Sequence, residues 1–172
     1  MILKLIKLFF LLKKRIENRF WYLYNKNEVA YYKDKFYIGG KTILSKNTYI
    51  GSNVSFNGLV INGKGKVIIG DNFHSGAGCL FITDAHNYNG EKIPYDEKDI
   101  IKDIVIEDNV WIGSNVIILG GVTIGEGAII QAGSVVVNNV GNCMIAGGPP
   151  AKPFSSRNEK KYNKLKKLGS FH

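Results

Sequence analysis

Aliphatic residues recur at every sixth position along most of this chain. From Ile106 the units read IEDNVW, IGSNVI, ILGGVT, IGEGAI, IQAGSV and VVNNVG, with first positions Ile106, Ile112, Ile118, Ile124, Ile130 and Val136. The fifth position is small or β-branched throughout: Val110, Val116, Val122, Ala128, Ser134 and Val140. Upstream the same register starts at Ile38, Leu44, Ile50 and Phe56. It slips by one residue through NGKGK and resumes at Ile69 and Ser75, with Phe81 on the next beat. Neither a helix nor an alternating strand has such a period. A short strand with a tight turn does, and three such units, about 18 residues, close one triangular coil. The first position then points inward on every side, and the fifth fits the corner. Gly or Asn at the turns accepts positive φ at little cost. Each coil buries its apolar face only against its neighbours. The pattern predicts an all-β solenoid of about four coils over residues 36–151, with residues 1–35 and 152–172 as terminal segments.

The count stops at FITDAHNYNGEKIPYDEKDI, Phe81 to Ile100. His86 stands at the end of the last regular unit, and Asn87 to Asp103 form a 17-residue excursion. Such an excursion costs ordering entropy and adds little core, so long ones tend to be functional. Imidazole titrates near neutral pH and suits a general base. Asp84, two residues earlier, faces the same way in an extended chain, as an orienter of His86 or as a plain turn aspartate. In the loop, Tyr88, Tyr95, Glu91, Asp96 and Glu97 suit sugar hydroxyls and are equally ordinary for an exposed loop. The other histidines, His74 and His172, form no close pair in sequence, so no metal site of clustered imidazoles is expected. Cys79 and Cys143 are too few and too distant for a disulfide framework or a zinc site. They read as small buried residues in a reducing compartment.

The histidine of TDAHNY, the loop after it, IVIEDNVWIGSNVIILGGVTIGEGAIIQAGSVV and the closing IAGGPPAKP resemble the hexapeptide-repeat acyltransferases. Within that family they are most similar to the sugar and polysaccharide O-acetyltransferases. The resemblance covers roughly residues 38 to 157. It implies a left-handed parallel β-helix that uses acetyl-coenzyme A as cosubstrate and no metal. Acceptor and acetyl donor would meet in one ternary complex, where proximity supplies much of the rate. The resemblance implies His86 as catalytic base and the backbone N–H of Ser114 as oxyanion donor. It places cofactor contacts at Trp111, Gly113, Ser114, Ala132 and Gly133, and at Ala146, Gly147 and Lys152 in the closing segment. Asn72, in the IGDN unit, matches a polar residue turned toward the acceptor and is equally a turn-former. Tyr88 and Tyr95 are the loop's candidate acceptor contacts. Family members are homotrimers with each site between two solenoids. The implied activity is acetylation of a sugar hydroxyl in surface-polysaccharide synthesis. N-acetylation of a nucleotide-linked amino sugar, O-acetylation of a xenobiotic and a non-catalytic scaffold stand as alternatives.

Charge refines this picture. The net +9 splits into +6 over residues 1–35, +6 over residues 152–172 and −3 over residues 36–151. A duplex-DNA binder needs a basic stripe on its folded body, so no nucleic-acid partner is expected. In MILKLIKLFFLLKKRIENRF the longest unbroken apolar run is Leu8 to Leu12, far short of the roughly 20 residues of a membrane span. No small-residue cleavage site follows it. The segment reads as an amphipathic helix that caps the solenoid or lies on an anionic membrane surface. The expected location is the cytoplasm.

Overall fold

A computed structural model describes residues 2–172. The chain winds as a three-sided solenoid whose short strands stack in parallel, one sheet per face. The first face holds Tyr31–Tyr32, Thr48–Ile50, Val67–Ile69, Ile104–Ile106 and Thr123–Ile124. The second holds Tyr37–Ile38, Ser55–Phe56, His74–Ser75, Trp111–Ile112, Ile129–Ile130 and Met144–Gly147. The third holds Leu59–Asn62, Cys79–Ile82, Ile117–Leu119 and Val135–Val136.

The six-residue register is the register of the core. Ile38, Leu44, Ile50, Phe56, Ile69, Phe81, Ile106, Ile112, Ile118, Ile124, Ile130 and Val136 are all buried, as are the fifth-position residues from Val110 to Val140. Ser75 stands on an inward beat among these aliphatics, and its buried hydroxyl finds no partner. The corners carry the strained backbone. Asn53, Asn72 and Asn109 have φ of 54°, 57° and 62°, a region where Asn is among the few residues tolerated.

There are about six coils rather than about four. The first begins inside the segment expected to lie outside, where Tyr31–Tyr32 pairs with Tyr49–Ile50. The last closes through a Val140–Ile124 bridge and the bond from Ala151 N–H to the Val135 carbonyl. In these end coils the aliphatic first position lapses, to Tyr32 at one end and Asn142 at the other, so periodicity alone does not reveal them.

Helix α1 spans Ile2–Glu28. Only its last turns meet the body: Trp21 and Tyr22 pack against the core, and Asn25 is fully buried. The Asn25 side chain donates to the Thr42 carbonyl (2.9 Å) and accepts from the Leu44 N–H (2.7 Å), pegging the helix into the first coil. No helix among the described residues is long and apolar enough to cross a membrane.

The basic tail, expected to be helical from residue 152, begins instead as a strand. Lys152–Ser156 pairs antiparallel with Met144–Gly147. Helix α2, Glu159–Lys167, follows, and Asn158 caps it by accepting from Lys161 N–H. Its three last-turn lysines suit the negative end of the helix dipole.

Candidate active site

The interruption folds as a hairpin standing off the solenoid. Its arms, Asp84–His86 and Asp99–Ile101, pair antiparallel with His86 opposite Asp99. Residues 99–101 are therefore strand rather than loop, and the unpaired part is 87–98. Asp96 latches that part from within. It accepts from the Asn87 side chain (3.0 Å) and the Lys98 N–H (2.9 Å), and only 9% of it is exposed. It is thus turned away from any acceptor.

The His86 ring stacks on Tyr95, centroids 3.9 Å apart and planes within 9°. Its Nδ1 faces Asp99 Oδ1 at 3.9 Å, an electrostatic pairing longer than a hydrogen bond. The other Asp99 oxygen accepts from Lys64 Nζ at 2.6 Å. That hydrogen bond and the Lys64 charge, with a smaller contribution from His86, hold the Asp99 carboxyl below its usual range. With Nδ1 facing a carboxylate, Nε2 lies on the far side of the ring, and 61% of the His86 side chain is exposed. Asp84 forms neither a hydrogen bond nor an ion pair with His86, whose carboxylate partner is Asp99. In register Asp84 lies opposite Ile101. Side chains two apart on one strand point the same way but stand roughly 7 Å apart, whereas cross-strand neighbours stand about 5 Å apart. The carboxylate facing the imidazole is therefore Asp99. Tyr95 joins the cluster, while Tyr88 is exposed on the hairpin.

The expected cofactor contacts follow a different corner, between the second and third faces. In this fold a corner amide commonly donates to a side-chain oxygen one coil later. Ser52 N–H donates to Asp71, Asp71 N–H to Asp108 and Ala77 N–H to Ser114 Oγ. The ladder stops at Ser114, because the residue one coil on is Ala132, and Ala132 in turn faces Gly148; neither offers an oxygen. Among the described residues, the Ser114 and Ala132 amides consequently have no protein acceptor. Ser114 is half-buried and Ala132 exposed, and the glycine at 133 leaves free space beside them. The Gly113 amide is already engaged by the Ile130 carbonyl. Trp111 is half-exposed on the second face, Ala146 is buried, Gly147 is partly covered and Lys152 is exposed. Ala146 has no exposed surface and its carbonyl already accepts from Gln131 N–H, so in the single chain it offers a ligand no contact.

Asn72 lies on the remaining corner, between the first and second faces, in an asparagine ladder. It accepts from Asn53 (2.9 Å) and donates to Asn109 (2.8 Å), so its amide is spent on the scaffold. The His86 cluster and the Ser114 and Ala132 amides thus lie on separate edges of the prism.

A third feature has no signature in the sequence. A groove of ≈ 780 Å³ runs along the second face beneath α2 and the residues after it, with His74, Trp111 and Phe171 in its lining. His74 and His172, 98 positions apart, come within 6.4 Å between ring centroids. His74 Nε2 meets Asn57 Nδ2 at 3.2 Å. Burial, then the charge of His172, pushes the His74 imidazole below its ordinary pKa.

Comparison with known proteins agrees with this architecture. The family described as bacterial transferase hexapeptide (six repeats) matches residues 103–138. A hexapeptide-repeat-containing acetyltransferase from Vibrio cholerae superimposes with a TM-score of 0.59 at 32% identity, covering 73% of this chain and 69% of that one. The same protein has also been solved complexed with acetyl-coenzyme A. Galactoside acetyltransferase in complex with coenzyme A superimposes with a TM-score of 0.60 at 30% identity, over 78% of this chain and 63% of that one. In sequence, galactoside O-acetyltransferase of Escherichia coli is 34% identical over 122 residues, 66% of this chain and 56% of its own length. The chain spans less than two thirds of the curated relatives it matches, from 25% to 58% among them. The winding matches the left-handed β-helix of these acetyltransferases.

Proposed function

Because this chain belongs to the hexapeptide-repeat transferases, we propose that it is an acetyl-coenzyme A-dependent O-acetyltransferase acting on a sugar hydroxyl, in the synthesis of a surface polysaccharide. The observation that carries the reading is the cluster at the hairpin base: His86 between the Tyr95 ring and the Asp99 carboxylate, with Nε2 on the far side. Acetyl-coenzyme A supplies an activated acetyl group as a thioester. The protein's part is to deprotonate the acceptor and to meet the charge that develops. His86 Nε2 takes the hydroxyl proton as the oxygen attacks the thioester carbonyl; when the C–S bond breaks, the imidazolium gives that proton to the departing coenzyme A thiolate. Asp99 stabilises the imidazolium that results, while Tyr95 restricts the ring's rotation. The open amides of Ser114 and Ala132 fit an extended thioester donor laid along their corner. Ser114 N–H is the donor for the carbonyl oxygen as it gains charge. Backbone amides suit this task because they are fixed by the coil and need no reorganisation.

These two half-sites lie on different edges of one prism, so the working site forms between copies. His86 of one chain faces the Ser114 corner of the next in a homotrimer. Galactoside enzymes among the relatives support a saccharide acceptor. The buried free thiols Cys79 and Cys143 suit a reducing compartment, the cytoplasm.

The test is acetyl transfer to a panel of saccharides, with mass and linkage analysis of the product. His86→Ala is expected to lower kcat by about 10²–10⁴ with the fold intact by circular dichroism. Ser114→Pro, which deletes the amide hydrogen, is expected to be similarly inactive. Chains of the two variants assembled together should recover activity, because some interfaces then hold both intact halves. Undiminished turnover by His86→Ala would remove the base from its role, and transfer only to amines would sink the O-acetyl reading. Failure of the mixture to recover would refute a site shared between copies.

A further inference from the structure

We infer that helix α1 is a monotopic membrane-surface anchor whose occupant is a bilayer carrying anionic headgroups. The helix is 27 residues long, about 40 Å at 1.5 Å per residue. It meets the body only through its last turns, around Trp21, Tyr22 and Asn25. From Ile2 to Arg15 every residue is exposed.

The exposed stretch is two-sided. Ile2, Leu5, Ile6, Phe9, Leu12, Ile16 and Phe20 follow helical spacing and form one apolar face, each at least 45% exposed. At 100° per residue, Lys4, Lys7, Lys14 and Arg15 fall on the opposite side, interrupted only by Leu11. Lys13 falls within the apolar face, between Phe20 and Ile6 in projection, and pairs with Glu17. A lysine there can still bury its stem and raise its ammonium to the headgroups.

Apolar residues on one face and cations on the other suit a helix lying in the headgroup boundary. Charge selects this occupant over a second copy of the chain. Residues 2–16 hold five Lys/Arg and no acid, so the same stretch of a second α1 offers these cations no counter-charge. Anionic headgroups complement it, each nearby lysine contributing about 1 kcal/mol. No window of the helix is apolar enough to cross the bilayer, so the helix lies on it. This inference rests on the helix alone and is independent of the acetyl-transfer reading.

The experiment is flotation of the full chain with phosphatidylcholine vesicles, with and without phosphatidylglycerol. Binding is expected only where phosphatidylglycerol is present, and it should weaken as salt screens the stripe. Neutralising the stripe (Lys4→Gln, Lys7→Gln, Lys14→Gln) should lower partitioning about a hundredfold. Charging the apolar face (Leu5→Glu, Phe9→Glu) should abolish it while acetyl transfer to a soluble acceptor persists. Equal partitioning onto neutral and anionic vesicles would overturn the inference, as would indifference to the lysine substitutions. So would a wild-type chain that ignores vesicles but loses oligomeric mass on Phe9→Glu, since that places α1 against another copy.

Discussion

Asp99 and Asn25 are residues whose roles exist only in three dimensions. Asp99 faces His86 across the hairpin, and Lys64 holds its carboxyl below the usual range; on the proposed mechanism it is a positioning residue. Asp99→Asn keeps the shape and removes the charge. It is expected to lower kcat about tenfold while KM stays near its wild-type value, because the charge acts on the imidazolium rather than on substrate binding. Steady-state kinetics with a partial rescue in Asp99→Glu checks this. An unchanged kcat would leave Asp99 as a hairpin ion pair only. His86 was legible in the sequence because it ends a regular count, whereas its partner was not. Sequence proximity pointed to Asp84, and only antiparallel pairing brings a residue 13 positions away to the ring. Asn25 was equally hidden. A polar residue late in a basic helix reads as solvated until the first coil is placed over it.

At the scale of elements, α2 is tied to the corner of the solenoid by a small acidic hub. Glu126 accepts from Lys166 Nζ (2.5 Å) and Tyr162 OH (2.7 Å), and Asn109 donates to the same tyrosine (2.9 Å). The Lys166 hydrogen bond leads in holding the Glu126 carboxyl below its ordinary value of 4.5, despite an opposing effect of burial. Burial first, and then the bond to Glu126, raises the Tyr162 phenol, so it remains a donor at neutral pH. A lowered carboxyl pKa fixes the sign. The hub's stabilisation is complete above pH 4.5 and lost as pH falls through the lower folded-state value. Helix α2 is therefore expected to lose hydrogen-exchange protection in acid before the coils do. Glu126→Gln should show that loss of protection already at neutral pH and no acid step. An acid step that survives in Glu126→Gln would assign it to another group. Neither the hub nor the groove beneath α2 has a local motif, since the hub's members come from three distant parts of the chain and the groove's lining from five.

The whole molecule is a one-dimensional stack, and its stability follows from that. Phe36, Phe56 and Phe73 pack in sequence along the axis, ring centroids 6.0 and 5.8 Å apart, and all three are buried. Phe56→Ala removes the middle ring and is expected to cost about 3–5 kcal/mol. Because each coil contacts only its neighbours, the loss should fall on the N-terminal coils first. Chemical denaturation followed by hydrogen exchange should then show those coils opening before the coils from Ile104 onward. One cooperative transition with uniform protection would contradict nearest-neighbour behaviour. The same stacking keeps His86 and the Ser114 amide on separate edges, since a triangular prism holds its edges apart however its loops are arranged.

Periodicity by itself determined the solenoid, the inward residues and the place of the interruption, because a six-residue strand-and-turn unit is a local property repeated. It also determined which corners take Asn or Gly, since positive φ is decided within one residue. Tertiary structure alone decided the extra end coils, the Asp99 partner of His86, the scaffold role of Asn72 and the open amides at Ser114 and Ala132. Each depends on what stands one coil or one strand away. That neighbour is set by the winding of the chain, not by adjacency along it.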